Sequence, residues 1–145
     1  MNILVVENIF AVPRIINMVK IFFELVKVRL SILVTFSAAF GFILASSGGI
    51  DYLKLFYLTL GGFLVTACSV INNQILEKDF DILMDRTKKR PIPSKKISVR
   101  KSLYISVITG LVGFTILAYF LNLFSAIISL VSLIVYTFIY TPLKR

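Results

Sequence analysis

Asn73, Glu77 and Asp81 stand four residues apart in a chain that is otherwise poor in charge, and Arg86, Lys88, Lys89 and Arg90 follow directly. On a helix, residues four apart turn only about 40° around the axis while rising about 6 Å, so this amide and these two carboxylates would line one stripe. Oxygen donors at successive turns of one rigid element suit a hard cation. Mg²⁺ fits best, because it takes few protein oxygens and completes its octahedron with water and phosphate. Asp85 can extend the stripe, whereas Asp79 points elsewhere. Arg86 and Arg90 can each fork onto phosphate oxygens, and Lys88 and Lys89 add mobile point charges. Pro91 and Pro93 are expected to stop the helix and to fold the basic end back over the acidic face. An acidic stripe beside a basic cluster is the arrangement that would hold a metal-bound diphosphate. It would also ease the departure of that group from an allylic carbon by stabilising the charge that develops on it. Lys95, Lys96, Arg100 and Lys101 lie further along and read as charge that only sets topology.

The elements that must carry this segment are apolar. The chain is 58% hydrophobic and 16% charged, with a mean hydropathy of +0.93, a composition of membrane proteins rather than soluble domains. Four uncharged runs of spanning length occur at residues 30–47, 55–71, 103–121 and 123–140. The expected fold is therefore all-α, a polytopic membrane protein with four transmembrane helices, and residues 73–101 form the charged loop between the second and third. Only Asn122 parts the last two runs, so a very tight turn is expected there. Gly48 and Gly49 mark the turn after the first span. Gly61, Gly62, Gly110 and Gly113 lie inside spans, where small residues let helices approach closely. Before the first span, Ile15, Ile16, Val19, Phe22, Phe23 and Val26 recur at helical spacing among Arg14, Lys20 and Lys27, as in an amphipathic lead-in at the interface.

Charge fixes the expected orientation and excludes other classes. Sixteen basic residues outnumber seven acidic ones, and nine of the sixteen lie from Lys78 to Lys101. With this hydropathy the pattern is that of a cytoplasmic loop, not of a nucleic-acid-binding face. Arg14, Lys20, Lys27 and Arg29 on one flank and Lys144 and Arg145 on the other place both termini on the same, cytoplasmic side. The segment MNILVVENIFAVP lacks the positive start of a removable leader and carries Glu7. A prokaryotic plasma membrane is the expected location. Histidine is absent and Cys68 is the single cysteine, so a Cys/His metal site and an intrachain disulfide are both excluded.

The string NQILEKDFDILMDRTKKRPIPSKKIS resembles the first aspartate-rich motif of the UbiA superfamily of intramembrane prenyltransferases, with its trailing Arg-Thr-x-x-Arg-Pro at Arg86–Pro91. Within that superfamily the details at Met84, Pro93 and Tyr140-Thr141 followed by Leu143-Lys144-Arg145 are most similar to the protohaem IX farnesyltransferases. The segment LVKVRLSILVTFSAAFGFILA resembles their first helix, with Lys27 and Arg29 in place but Val28 where proline is usual. The middle carboxylate is Glu77 where many members have aspartate. The resemblance implies a bundle of about nine spans with two acidic motifs facing each other. It further implies Mg²⁺-dependent transfer of a farnesyl group from farnesyl diphosphate onto a vinyl group of haem B, on the way to haem O and haem A. By position, Asn73, Glu77 and Asp81 would be the catalytic magnesium–diphosphate ligands. Arg86, Arg90, Lys89, Lys27 and Arg29 would contact the diphosphate. No second acidic motif follows the first, so the chain reads as an N-terminal half, a truncated product or one piece of a split enzyme, inactive alone. The rival readings are UbiA-type prenylation of an aromatic or glycerol-phosphate lipid acceptor, and a non-catalytic four-helix membrane protein.

Overall fold

The computed structural model describes residues 16–143, and the expectations that fall on Arg14, Ile15 and the leader-like start, and on Lys144 and Arg145, lie outside them. Helix α1 runs over residues 16–25 and leaves Ile16, Val19, Phe22 and Phe23 exposed, while Leu25 and Val26 are fully buried. Lys27, at φ 45°, turns the chain into helix α2, Val28–Ala45. The Ser31 hydroxyl donates to the Val26 carbonyl and ties that junction. Helix α2 ends two residues before the apolar run does, because the chain then takes positive φ at Gly48 (100°) and Gly49 (132°). Only glycine adopts those values without strain.

Helix α3, Tyr52–Leu76, begins at Asp51, whose carboxylate accepts from the backbone N–H groups of Leu53 and Lys54. Its 25 residues span about 38 Å at 1.5 Å each, against a hydrocarbon core of about 30 Å. The excess carries its polar end out to the membrane surface. The short helix α4, Lys78–Leu83, follows after a junction at Glu77 with φ −90° and ψ 0°. Helix α5, Val99–Ile116, starts at Ser98 and passes into a π-helical turn over Leu117–Leu121. Asn122 is fully extended and its side chain accepts from the Ser125 N–H, opening helix α6, Leu123–Ile134. Helix α6 in turn passes into a π-helical turn over Val135–Tyr140, and helix α7, Thr141–Leu143, closes the described chain.

Four helical stretches are long and apolar enough to cross a membrane: Val28–Ala45, Tyr52–Leu76, Val99–Leu121 and Leu123–Leu143. The protein is an all-α, multi-pass membrane protein. A continuous helix through Asn122 is ruled out, since Ala126 packs beside Leu117 and Val65 in one buried cluster, so the third and fourth spans fold back on each other. Large apolar side chains such as Phe36, Ile108, Leu111 and Phe138 stand on the outside. A water-facing surface rarely carries so many, and a lipid-facing one requires them.

Helices α3 and α5 form the closest seam. A Cβ on Gly113 would sit 2.9 Å from the Gly61 carbonyl oxygen, and one on Gly61 would sit 2.8 Å from Leu117 Cγ. A Cβ on Gly110 would meet Cys68 Sγ at 2.8 Å, while Gly62 faces open space. Of the four glycines lying inside spans, Gly61 and Gly113 are points of backbone approach, Gly110 makes room for the Cys68 side chain, and Gly62 has no close neighbour.

Candidate functional site

The end of helix α3 is a row of three carboxamides, Asn72, Asn73 and Gln74, and successive residues on a helix point about 100° apart. Each ties a different neighbour. Asn72 turns to helix α5, where its Oδ1 accepts from Ser106 Oγ at 2.6 Å and its Nδ2 approaches Cys68 Sγ on its own helix. Gln74, fully buried, donates from Nε2 to the Leu25 carbonyl at the α1–α2 junction. Asn73 turns to the fourth span and to the stripe. The roles of Asn72 and Gln74 were not read from the sequence; the signal was available in three adjacent amides closing an apolar helix.

The stripe itself is continuous across the α3–α4 junction. The Glu77 N–H still donates to the Asn73 carbonyl and the Asp81 N–H to the Glu77 carbonyl, at 2.9 and 2.8 Å. These preserve the four-residue repeat although the backbone bends at Glu77, so the three side chains keep one face. All three are buried, with exposures of 2, 8 and 4% for Asn73, Glu77 and Asp81. Asn73 Nδ2 donates to Glu77 Oε2 at 3.0 Å. Asp85 does not extend the row. It lies beyond the end of α4, is exposed, and pairs with Lys88. Asp79 is exposed, on another face.

Arg90 folds back onto this stripe. Its guanidinium donates to Asp81 Oδ1 and Oδ2 at 2.7 and 2.6 Å and lies 3.8 Å from Glu77 Oε2. The turn that brings it there is not started by the prolines. Helix α4 ends at Leu83, with Met84 extended at φ −103° and ψ 126°, eight residues ahead of Pro91. The Thr87 hydroxyl then donates to the Asp81 carbonyl at 3.0 Å and Arg90 N–H to the Thr87 carbonyl at 2.9 Å. Thr87 is buried, so the threonine of Arg86-Thr87 anchors the loop to the helix it has just left. Ile92 joins the buried cluster of Leu25, Val26, Ala67 and Ile71, and this anchors the far side of the loop.

Of the remaining basic candidates, Arg86, Lys89 and Arg29 are exposed. Lys27 is half-buried at the α1–α2 junction. The structure thus brings together Asn73, Glu77, Asp81 and Arg90 and leaves Arg86, Lys89 and Arg29 exposed.

Among the described residues no group of three histidine, cysteine or acidic side chains is gathered for a metal ion. The donor set at hand is two carboxylates and one amide. It fits a hard cation on one observation: a single guanidinium nitrogen is within 2.6 Å of an Asp81 oxygen and 3.8 Å of a Glu77 oxygen. Both carboxylates therefore face one cationic position, now held by Arg90. A metal ion would take that position only if Arg90 moved off it.

Residues 34–145 match the UbiA prenyltransferase family. The chain is 44% identical over 123 residues to the protoheme IX farnesyltransferase of Cytophaga hutchinsonii, covering 85% of this chain and 43% of that protein. It is 40% identical over 138 residues to that of Flavobacterium psychrophilum (91% and 44%). To that of Picosynechococcus sp. it is 38% identical over 140 residues (96% and 42%). The chain spans less than half the length of these curated relatives. No solved structure matches it.

Proposed function

The chain belongs to the UbiA prenyltransferase family, and on that premise we propose that its buried stripe is the donor side of a membrane prenyltransferase. The donor is farnesyl diphosphate and the acceptor a vinyl carbon of haem B; in support, its relatives are named as farnesyltransferases of protoheme IX. The observation that carries this reading is the pair of buried carboxylates, Glu77 and Asp81, converging on one cation position. Buried acids at a membrane surface are costly unless paired, and a pairing through a movable arginine leaves the site able to change partners.

In this proposal Asn73, Glu77 and Asp81 hold Mg²⁺, which when bound neutralises charge on the diphosphate. The chain's own residues do the rest. Arg90, displaced from Asp81, turns to the phosphate oxygens, where its fork of donors matches their geometry. Arg86 and Lys89 reach the same group from the exposed rim, and Lys27 and Arg29 approach from the start of the first span. Burial of the stripe limits water around the leaving group and strengthens each of these interactions. The farnesyl tail lies along the apolar bundle. The site faces the cytoplasm of a prokaryotic cell, with both termini on that side of the plasma membrane. The acceptor side belongs to sequence that corresponds to the remainder of the longer relatives, so the 145-residue chain alone is expected to bind the donor without completing transfer. The unit that binds the donor comprises residues 1–145 as one domain, with residues 73–101 as its polar segment.

Calorimetric titration of the detergent-solubilised chain with farnesyl diphosphate tests the donor side. Binding is expected to require Mg²⁺ and to weaken at least about tenfold in Asp81→Asn. Equal binding in chelator, or an unchanged Asp81→Asn, would overturn the proposal and favour a non-catalytic membrane protein. In a full-length enzyme carrying these residues, mass analysis of the prenylated product identifies the acceptor. A farnesylated aromatic or glycerol-phosphate lipid in place of haem would replace the haem assignment with that substrate class.

A further inference from the structure

The fourth span reaches the stripe at Thr141. Thr141 has no exposed surface, and its hydroxyl lies 2.8 Å from Asn73 Oδ1 across 68 residues of sequence. The same hydroxyl is 2.8 Å from the Tyr136 carbonyl. That carbonyl already accepts the Thr141 backbone N–H, so donation of the one hydroxyl proton to Asn73 Oδ1 is the arrangement that serves both acceptors. The placement depends on the π-helical turn over Val135–Tyr140. Such a turn holds an extra residue, and in a regular α-helix the side chain at Thr141 would point about 100° away.

The Glu77 carboxylate, which only accepts, sets the sense of the Asn73 amide, and the Thr141 hydroxyl holds its other end. An amide has one accepting end and one donating end. Nδ2 faces Glu77 and donates to its Oε2 at 3.0 Å, which leaves Oδ1 to take the Thr141 hydroxyl. Reversed, the amide would set oxygen against carboxylate oxygen. The Oδ1 atom keeps a second lone pair, so the bond to Thr141 does not use up the oxygen. We propose that Thr141 is a positioning residue of the stripe: its hydroxyl locks the Asn73 amide and thereby holds the Glu77 carboxylate beside Asp81. The proposal rests on the donor-site reading above. It adds that the fourth span, which contributes no ligand among the described residues, sets the geometry of ligands on α3 and α4.

The test is Mn²⁺ binding to the detergent-solubilised 145-residue chain with farnesyl diphosphate present, read from the loss of the free-ion electron paramagnetic resonance signal. Thr141→Val, which keeps the shape and removes the hydroxyl, is expected to weaken Mn²⁺ affinity about tenfold, and Thr141→Ser to stay within about threefold of the parent. Because Thr141 acts through Asn73, the Thr141→Val/Asn73→Ala chain is expected to bind no more weakly than Asn73→Ala alone. If the valine chain loses its helical circular dichroism, Thr141→Ala takes its place in the same comparisons. Parent-like affinity in the variant lacking the hydroxyl, equal loss in the serine variant, or additive losses in the double variant would each overturn the assignment. If the parent itself binds no Mn²⁺ in the presence of farnesyl diphosphate, the donor-site reading fails and takes this role with it. A parent that binds alongside an insensitive Thr141→Val removes only the positioning role.

Discussion

Two polar networks meet at the end of helix α3, one residue apart, and they are built on opposite logic. On the α5 side, Asn72, Ser106 and Cys68 form a neutral set in which Ser106 Oγ is held by Asn72 Oδ1, Cys68 Sγ and the Cys68 carbonyl. It lies on a seam where Gly61 and Gly113 let backbones approach and Gly110 makes room for the Cys68 side chain. On the other side, Asn73, Glu77 and Asp81 form a charged set closed by Arg90. The neutral network holds helices together and has nothing to exchange. The charged one is stable only with a cation in it, and the cation it has is on a loop. Burial of polar groups is common to both, so burial alone does not mark a site; a charge whose partner can leave does.

The largest effect that separates the two is expected at Arg90. Arg90→Gln leaves Asp81 buried without its partner, so the chain should melt at a lower temperature, and added Mn²⁺ should restore much of the loss by binding only the folded state. Mn²⁺ affinity measured without diphosphate should rise about tenfold, because the position is no longer contested, while affinity for farnesyl diphosphate falls. If metal affinity is unchanged, Arg90 is a fixed strut and the two networks do not differ in kind.

On the seam, Gly113→Ala drives a methyl group to 2.9 Å from the Gly61 carbonyl and from side chains of Leu64 and Val65. Overpacking of that kind costs about 1–3 kcal/mol. Ser106→Ala is milder, about 0.6 kcal/mol, the usual size of an interhelical hydrogen bond in a membrane. Both are read by unfolding in mixed micelles, and neither should alter Mn²⁺ binding in the presence of diphosphate. A tenfold change there would join the seam to the site and dissolve the contrast.

The smallest effect lies at the opposite end of α3. The backbone N–H of Lys54 holds the Asp51 carboxyl below the usual carboxylate range, against the opposing effect of desolvation. A carboxyl with a lowered folded pKa stabilises above its unfolded value and loses that contribution as pH falls through the folded one. Asp51→Asn, which can still accept from the same N–H groups, should therefore flatten the acid side of the stability profile and change neutral stability little. A large loss at neutral pH would mean that the charge of Asp51, not its geometry, starts the helix.

Much of this was legible because it is local. The spans follow from runs of apolar residues, and the Asn73–Glu77–Asp81 face follows from four-residue spacing, which the backbone bonds across Glu77 maintain. The tight turn at Asn122 followed from the length of a bilayer. The fold-back of Arg90 was expected from the prolines and occurs for a different reason, since α4 ends at Leu83 and Thr87 ties the loop to Asp81. Gly62 shows the limit of reading packing from residue type, because its small size meets no neighbour.

By itself the sequence determined the four apolar helices, the charged stripe and its family, because hydropathy and helical periodicity are properties of neighbouring residues. Which carboxylate Arg90 holds, and that the Asn73 amide is held at its oxygen by Thr141, were set by the tertiary structure alone. Those contacts join residues 9 and 68 positions apart. They depend on a bend at Glu77 and a π-helical turn before Thr141, and packing, not periodicity, chooses where a helix departs from regularity.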